Sequence, residues 1–257
     1  MLFNFEDFDI RMETEFIGKS FYYIDEVDST NSILLNNEKY DQDGTVILAE
    51  QQTAGRGRMK RKWVSERGKN LTFSILISDN ISKINVNFFN LCAGLAIANA
   101  IENLFQLPAK LKWPNDVLIS NKKVAGLLLE SISSGDRIKK IIIGFGININ
   151  QTHFPFMDNL SPTSIRIEVK KEVSREKILS EILNQYEELL EIAKKEPNKI
   201  IYNWKEKCLY LGERIQITIN NEQIIGIFED IDDEGFLLLK VDNKIQKLYS
   251  GEISESI

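Results

Sequence analysis

The stretch that decides the fold reads KKVAGLLLESISSGDRIKKIIIGFGIN, at residues 122–148. Its two apolar runs predict β-strands over 124–131 and 138–147, and the polar, glycine-containing residues between them predict a turn. Comparable runs predict further strands over 45–49, 71–77 and 117–119.

Helical patterns lie between these strands. Residues 86–105 carry apolar side chains at a 3.6-residue spacing, which predicts a core helix. Ser174 is a favourable N-cap for a second helix that runs to Lys195. The hydroxyls of Ser29 and Thr30 can cap a short helix over 31–37.

Beyond about Leu209 the pattern changes to short strands separated by turns rich in Asn and Asp. Strands of this kind without helices predict a small β-barrel. We therefore predict two domains, over residues 1–208 and 209–257, with a candidate linker at 205–211. Because about 50 residues is near the lower limit for independent stability, we expect the barrel to pack on the larger domain. The predicted barrel strands are 214–219, 224–229, 235–241 and 245–249.

The composition restricts the possible classes of function. The 257-residue chain has a formal net charge of −6 and a sequence pI near 5.1, so it lacks the broad basic face that a nucleic-acid backbone requires. Cys92 and Cys208 are its two cysteines, too few for a disulfide scaffold or a four-thiolate zinc site. No signal-peptide pattern opens the chain, and polar residues interrupt the apolar run from Phe88 to Phe105. We expect a cytoplasmic protein that binds no membrane.

Common catalytic motifs do not occur in the sequence. His153 is the single histidine, and neither a G-x-S-x-G elbow nor a Walker-type phosphate loop is present, so a catalytic triad and a P-loop are not predicted. No H-x-x-x-H or C-x-x-C indicates a protein-held transition metal. A nucleotide, if one binds, must be held by another device.

A basic loop reads GRGRMKRKW at residues 55–63. Its glycines, Gly55 and Gly57, let the backbone approach a ligand closely. Arg56 and Arg58 offer planar guanidinium groups suited to a carboxylate or a phosphate. Taken alone, such a run more often marks a solvated or nucleic-acid-binding segment.

Three other segments could contribute to the same site. LKWPND at 111–116 presents Asn115 and Asp116 after Pro114, whose fixed φ makes a rigid corner. DSTN at 28–31 could be an N-cap or a binding segment. GFGIN at 144–148 is a strand end whose glycines permit close approach of a flat ligand. Each segment alone is explained by a turn, a cap or a bulge.

Together these segments resemble the biotin protein ligases. The resemblance implies an α+β fold, with a mixed β-sheet flanked by helices and a small C-terminal SH3-like β-barrel. It implies a two-step reaction: biotin and ATP, with Mg²⁺, form biotinyl-5′-AMP and pyrophosphate, and biotin then passes to a lysine of the biotin carrier domain of a carboxylase such as acetyl-CoA carboxylase. A monomer or a homodimer is expected. The matching motifs, in order, are DSTN at 28–31, QQTAGRGR at 51–58, KW at 62–63, KWPND at 112–116, KKVAG at 122–126 and GFGIN at 144–148.

The resemblance also implies roles for single residues, while it assigns no metal ligands. Catalytic positions correspond to Arg58, Lys123 and Asp116. Biotin-binding positions correspond to Ser29, Thr30, Asn31, Gln52, Gly55, Arg56, Gly57, Arg58, Lys123 and Gly126. ATP-binding positions correspond to Arg58, Arg61, Trp63, Lys112, Asn115, Lys123 and Asn148.

Two features depart from parts of this family. Its loop commonly carries a glycine two residues after the second arginine, where this chain has Lys60, preceded by Met59. We expect this lysine to alter the flexibility of the loop and the retention of the adenylate. About 20 residues precede the match, too few for the winged-helix domain of the family's biotin-responsive repressors. We therefore do not expect binding to DNA.

Three other functions stay open. A lipoate or octanoate ligase has a related fold and the same adenylation chemistry. A dithiolane ring would leave the polar groups at 29–31 and Gln52 unpaired, at about 1–3 kcal/mol each, which argues against lipoate. A catalytically silent biotin-binding subunit would not need both Arg58 and Lys123. A nucleic-acid-binding module would need more basic surface with interleaved aromatic residues.

Overall fold

The computed structural model describes residues 3–79, 81, 84–155 and 161–256. Its larger sheet has seven strands in the order β1-β2-β3-β7-β6-β5-β4. The pair β1 and β2 is parallel and the other neighbours are antiparallel, so the sheet is mixed, as predicted. The strands are β1 (Phe21–Val27), β2 (Val46–Gln52), β3 (Leu71–Ile77), β4 (Ala109–Lys112), β5 (Asp116–Ile119), β6 (Lys122–Ser134) and β7 (Arg137–Ile147).

Helices cover both faces of this sheet. The long helices α3 and α5 pack against each other on one face, and α2 packs on β2, β3 and β7 from the other. The helix α5 begins after Ser174, whose hydroxyl accepts a hydrogen bond from Lys177 N, as predicted for an N-cap. The helices are α1 (Phe5–Asp9), α2 (Thr30–Asn36), α3 (Val86–Phe105), α4 (Ile165–Val169), α5 (Arg175–Lys195) and α6 (Pro197–Lys207), and short 3₁₀ turns cover Glu38–Tyr40 and Arg58–Lys60.

The helix α3 is the core helix that the sequence predicts. Within the described residues it is the one helix long and apolar enough to cross a membrane by length and composition, with a mean hydropathy of 1.3. About two thirds of that window, 67%, is buried inside the protein. Its apolar surface is therefore used in packing against the sheet and α5.

The C-terminal sheet is antiparallel, in the order β11-β10-β9-β8-β12. Four of its strands overlap those predicted, and the fifth, β12, was not predicted as a strand. The C-terminal part of the chain contacts the β4 end of the larger sheet. Trp113 Nε1, just after β4, donates to Gly235 O at 3.2 Å, and Leu209 N donates to Leu111 O on β4 at 2.8 Å. The strands are β8 (Arg214–Ile219), β9 (Glu222–Ile231), β10 (Leu237–Val241), β11 (Lys244–Leu248) and β12 (Glu252–Ser256).

The candidate linker at 205–211 is not a free connection. Helix α6 continues to Lys207, and Cys208 forms a β-bridge with Leu111. Buried apolar contacts made by α6, such as those of Trp204, hold this segment against the larger sheet. The segment between the two sheets is therefore ordered, in keeping with a composition that is not that of a flexible linker.

A buried ion pair joins β2 to α5. The Arg175 guanidinium donates to both carboxylate oxygens of Glu50, each at 2.8 Å, and both side chains are only 5% exposed. Tyr23 O–H on β1 donates to the same carboxylate at 2.9 Å. Burial, followed by this hydrogen bond, raises the pKa of Tyr23 to about 12. The network fixes two neighbouring strands against the helix layer.

We predict that Arg175→Ala lowers the free energy of unfolding by about 3–5 kcal/mol, because it leaves the Glu50 carboxylate buried without its charge partner. Arg166→Ala is the control, since it removes a half-exposed ion pair with Glu172 and should change stability by no more than about 1 kcal/mol. Denaturant unfolding of both variants measures the difference. Equal effects would contradict a special role for the buried pair.

Candidate active site

A cavity of about 590 Å³ opens between the larger sheet, the loop at 55–63 and strand β12. All of the predicted site residues except Gly55 line it, although they come from five separate segments of the chain. Those in the lining are Ser29, Thr30, Asn31, Gln52, Arg56, Gly57, Arg58, Arg61, Trp63, Lys112, Asn115, Asp116, Lys123, Gly126 and Asn148.

Gly55 lies behind the cavity wall and borders a second cavity between the loop and the C-terminal sheet. Trp63 N donates to Gly55 O at 3.0 Å, and a Cβ at position 55 would lie 2.4 Å from Trp63 O. Gly55 is therefore needed where the two arms of the loop meet. The structure thus gives Gly55 a role in closing the loop, and its assignment as a biotin-binding residue stays a prediction.

Polar side chains at the start of α2 form one end of the cavity. Thr30 N donates to Gln52 Oε1 at 2.8 Å, and Thr30 Oγ1 lies 2.6 Å from Ser74 Oγ. Ser74 Oγ in turn donates to Asn31 Oδ1 at 2.5 Å. Ser29 is the buried N-cap residue of α2, but its side chain makes no cap hydrogen bond. These groups can bind a compact ligand that carries both donors and acceptors.

Glycines in the sheet make room for side chains that lie flat on it. A Cβ at Gly144 would lie 2.4 Å from Asn31 Oδ1, and one at Gly146 would lie 2.4 Å from the Trp63 ring. A Cβ at Gly126 would lie 3.3 Å from the same ring. The space beside these glycines, which the sequence suggested for a flat ligand, is thus occupied by Asn31 and Trp63.

Cationic groups surround the other end of the cavity. Arg58 Nη1 donates to Asn115 Oδ1 at 3.0 Å, and Asn115 is fixed in turn by its hydrogen bond to Leu127 O at 2.8 Å. Removal from water lowers the pKa of the Arg58 guanidinium, although the nearby carboxylate of Asp116 opposes this effect. Because arginine stays protonated in proteins, a buried cation here attracts an anionic ligand.

The strand cation, Lys123, lies beside Asp116. Their atoms Nζ and Oδ1 are 2.7 Å apart and form an ion pair. Lys123 Nζ also lies 5.8 Å from the centre of the Trp63 ring. Trp63 Nε1 is a buried polar atom that lacks a hydrogen-bond partner within the described residues. A ligand that offers an acceptor would satisfy it.

Known proteins share both parts of the chain. Residues 23–148 match the biotin/lipoate A/B protein ligase family, and residues 210–254 match the biotin protein ligase C-terminal domain. The bifunctional ligase/repressor BirA of Bacillus subtilis is 33% identical over 250 residues, which are 94% of this chain and 76% of BirA. The chain belongs to the biotin protein ligase family.

Two further members of the family support this assignment. The biotin–[acetyl-CoA-carboxylase] ligase of Paracoccus denitrificans is 31% identical, over 83% of this chain and 91% of its own length. The structure of the biotin protein ligase from Aquifex aeolicus in complex with biotin and ATP has a TM-score of 0.80 and 33% identity, and the match covers 92% of this chain and 98% of that one. The predicted fold class is confirmed.

The backbone of the loop at 55–63 explains why the family commonly has a glycine at the position of Lys60. Lys60 has φ 61° and Met59 has φ 52°, both in the left-handed region that glycine adopts most easily. Lys60 therefore keeps the conformation of a glycine position while limiting its flexibility. The loop closes on itself through hydrogen bonds between Gly57 N and Arg61 O and between Trp63 N and Gly55 O.

The sequence reasoning missed three polar residues next to the site. Ser74 bonds to both Thr30 and Asn31, and Glu130 Oε2 accepts hydrogen bonds from Asn31 Nδ2 and Arg56 Nη2, each at 2.8 Å. Glu252 on β12 forms a two-pronged ion pair with Arg61. Ser74 and Glu130 interrupt apolar strand runs, and this interruption is the signal that could have found them.

No metal centre is evident in the described part of the chain. Groups of three or more His, Cys, Asp or Glu side chains that could hold a metal ion are absent there. The carboxylates nearest the cavity, those of Asp116, Glu130 and Glu252, are each paired with a cation. Protein side chains in this arrangement do not form a dedicated Mg²⁺ site.

We predict that Gly144→Ala destabilises the protein by about 1–3 kcal/mol, because the new methyl group forces Asn31 off the sheet. Gly94→Ala is the control, since the nearest atom to its added Cβ is the end of the Leu111 side chain at 3.4 Å and alanine favours helix α3. Denaturant unfolding distinguishes the two. A neutral Gly144→Ala would contradict the close packing of Asn31 on β7.

Proposed function

We propose that this protein is an ATP-dependent biotin–protein ligase. It would form biotinyl-5′-AMP from biotin and ATP and then transfer biotin to a lysine of the carrier domain of a biotin-dependent carboxylase, such as acetyl-CoA carboxylase. One observation carries the proposal: a single cavity joins a polar end, built by Thr30, Asn31 and Gln52, to a cationic end that contains Arg58 and Lys123. The biotin and ATP in the Aquifex aeolicus complex and the name of the Paracoccus denitrificans ligase support it.

The polar end suits the ureido ring of biotin. Gln52 Oε1 is engaged by Thr30, so the Gln52 amide NH₂ is the part left to donate to a ligand carbonyl. Hydroxyls of Ser29 and Thr30 can accept from ring N–H groups. A dithiolane ring has neither group, so lipoate would leave these atoms unpaired at about 1–3 kcal/mol each.

Adenylation brings the biotin carboxylate against the triphosphate. At 4 Å each unit like-charge contact costs about 4 kcal/mol at an effective dielectric near 20. Arg58 and Lys123 offset this repulsion and stabilise the negative charge that develops as a carboxylate oxygen attacks the α-phosphorus and pyrophosphate leaves. The need to offset this charge repulsion explains why both Arg58 and Lys123 are present. A subunit that only bound the neutral ureido ring of biotin would not require them.

Transfer completes the reaction. The amine of the carrier lysine attacks the acyl carbon, AMP leaves, and the nitrogen loses a proton. Asp116 lies next to Lys123 at the rim of the same cavity and is the carboxylate positioned to orient the incoming amine. We propose Trp63, Lys112, Asn115, Asn148 and Arg61 as the nucleotide contacts, with the unpartnered Trp63 Nε1 as a donor to that ligand.

Mg²⁺ would enter with the nucleotide. Because the cavity carboxylates are paired with cations, the phosphates of ATP and water are its expected ligands, as is usual for this strongly hydrated ion. When bound, the ion would supply further positive charge at the phosphates. We also propose that the protein acts in the cytoplasm and does not bind DNA, in keeping with its net charge of −6.

The proposed reaction can be measured on an apo carrier domain. Incubated with Mg²⁺-ATP and biotin, the protein should add one biotinyl group to an apo carrier domain, and lipoate should give no product. Lys123→Ala should abolish the addition, whereas Lys122→Ala, which removes the adjacent exposed lysine, should preserve it. Intact-mass analysis of the carrier measures both. Addition of lipoate alone would assign the protein to the lipoate ligases.

Arg58 is expected to retain the intermediate in the cavity. Arg58→Gly removes the guanidinium bonded to Asn115 and increases loop flexibility, so bound biotinyl-5′-AMP should dissociate about ten- to a hundredfold faster. Arg137→Gly, at an exposed position on β7 outside the cavity, is the control. A stopped-flow chase of the preformed adenylate gives the rates. Equal dissociation from Arg58→Gly and the unaltered protein would contradict this role.

A further inference from the structure

Glu130 is connected to the polar end of the cavity without lining it. Its Oε2 accepts hydrogen bonds from Asn31 Nδ2 and from Arg56 Nη2, both at 2.8 Å. The side chain is 25% exposed and belongs to the long strand β6. One carboxylate oxygen therefore touches both the start of α2 and the basic loop.

The charge of Glu130 fixes the orientation of the Asn31 amide. A carboxylate can only accept hydrogen bonds, so the Asn31 NH₂ must point towards it. The carbonyl of Leu128, which also only accepts, lies 3.2 Å from the same nitrogen. Asn31 Oδ1 must then face the opposite way, where Gly144 leaves room for it and Ser74 Oγ lies at 2.5 Å.

The orientation of the Asn31 amide determines which hydroxyl donates in the hydrogen bonds of Ser74 and Thr30. Because Asn31 Oδ1 is an acceptor, Ser74 gives its only hydroxyl proton to it. Ser74 Oγ can then only accept at its 2.6 Å contact with Thr30, so Thr30 gives its proton to Ser74 and not to Gln52 Oε1, which lies farther away at 3.2 Å. The lone pairs of Thr30 Oγ1 remain for the cavity. All three residues are buried, so water does not randomise this order.

We infer that Glu130 is a positioning residue that, through Asn31 and Ser74, turns Thr30 into a hydrogen-bond acceptor for the ligand. The inference rests on the proposed function, because a ureido N–H is the donor that such an acceptor recognises. It assigns part of the specificity for a cyclic urea to a carboxylate that the ligand does not touch. Glu130→Gln would introduce a donor and leave the more distant Leu128 carbonyl as the remaining acceptor for the Asn31 NH₂, so the fixed order would be weakened.

A double-mutant cycle tests this relay. Biotin binding is measured by calorimetry without ATP for the unaltered protein, Glu130→Gln, Ser74→Ala and the double variant. Each single change should weaken binding by about tenfold, and the double variant should be no weaker than the weaker single one, because either change alone interrupts the order. Asp41→Asn, which removes a half-buried ion pair with Lys140 outside the cavity, should bind biotin within about twofold of the unaltered protein.

The outcomes separate the relay from other roles of Glu130. Multiplied effects in the double variant would overturn the inference, because Glu130 would then act through Arg56 or through general stability. Glu130→Asp keeps a carboxylate acceptor and should recover part of the biotin affinity. If a thermal unfolding curve shows that Glu130→Gln is not folded, the cycle is run with Glu130→Asp. Failure of the unaltered protein to bind biotin would overturn the proposed function, and the inference with it.

Discussion

The site depends on the register of three antiparallel strands. In this register Ser74 on β3, Gly144 on β7 and Leu128 on β6 form one row across the sheet, and Gly146 and Gly126 lie side by side in another. A slip of one residue would turn these positions to the opposite face and place large side chains beneath α2 and the loop. On the face covered by α3 and α5 the same register stacks Phe73 on Phe145, with ring centres 4.5 Å apart, so core packing and cavity geometry are specified together.

Three cations of the cavity are paired with carboxylates before any ligand binds. Arg56 and Arg61 of the loop and Lys123 of the sheet each lie against a carboxylate, whereas Arg58 rests against the neutral amide of Asn115. This pairing reduces the repulsion among cations held in a small volume, although Arg61 still acts to lower the pKa of Arg58. An anionic ligand therefore competes with internal carboxylates at three places, while Arg58 can receive it without separating an ion pair.

Much of the fold follows from the sequence. The 3.6-residue apolar period of α3 predicts a helix, and the short continuous apolar run of β3 predicts a buried strand. β1 was missed because its seven residues are only half buried at the sheet edge and lack a clear alternation. The segments that form the cavity could be recognised through the family resemblance. Their hydrogen bonds could not, because Ser74 and Glu130 are 43 and 99 residues from Asn31 along the chain and meet it only through strand pairing.

The ion pair between Arg61 and Glu252 makes the basic loop part of a larger cooperative unit. Glu252 belongs to β12, which is held in place by β8, so the loop is secured by the second sheet as well as by its own hydrogen bonds. Local unfolding usually involves contacting segments together, so the backbone amides of a segment exchange their hydrogens only when the contacts that hold the segment are broken. Release of β12 from β8 would therefore remove one support of the loop that borders the cavity.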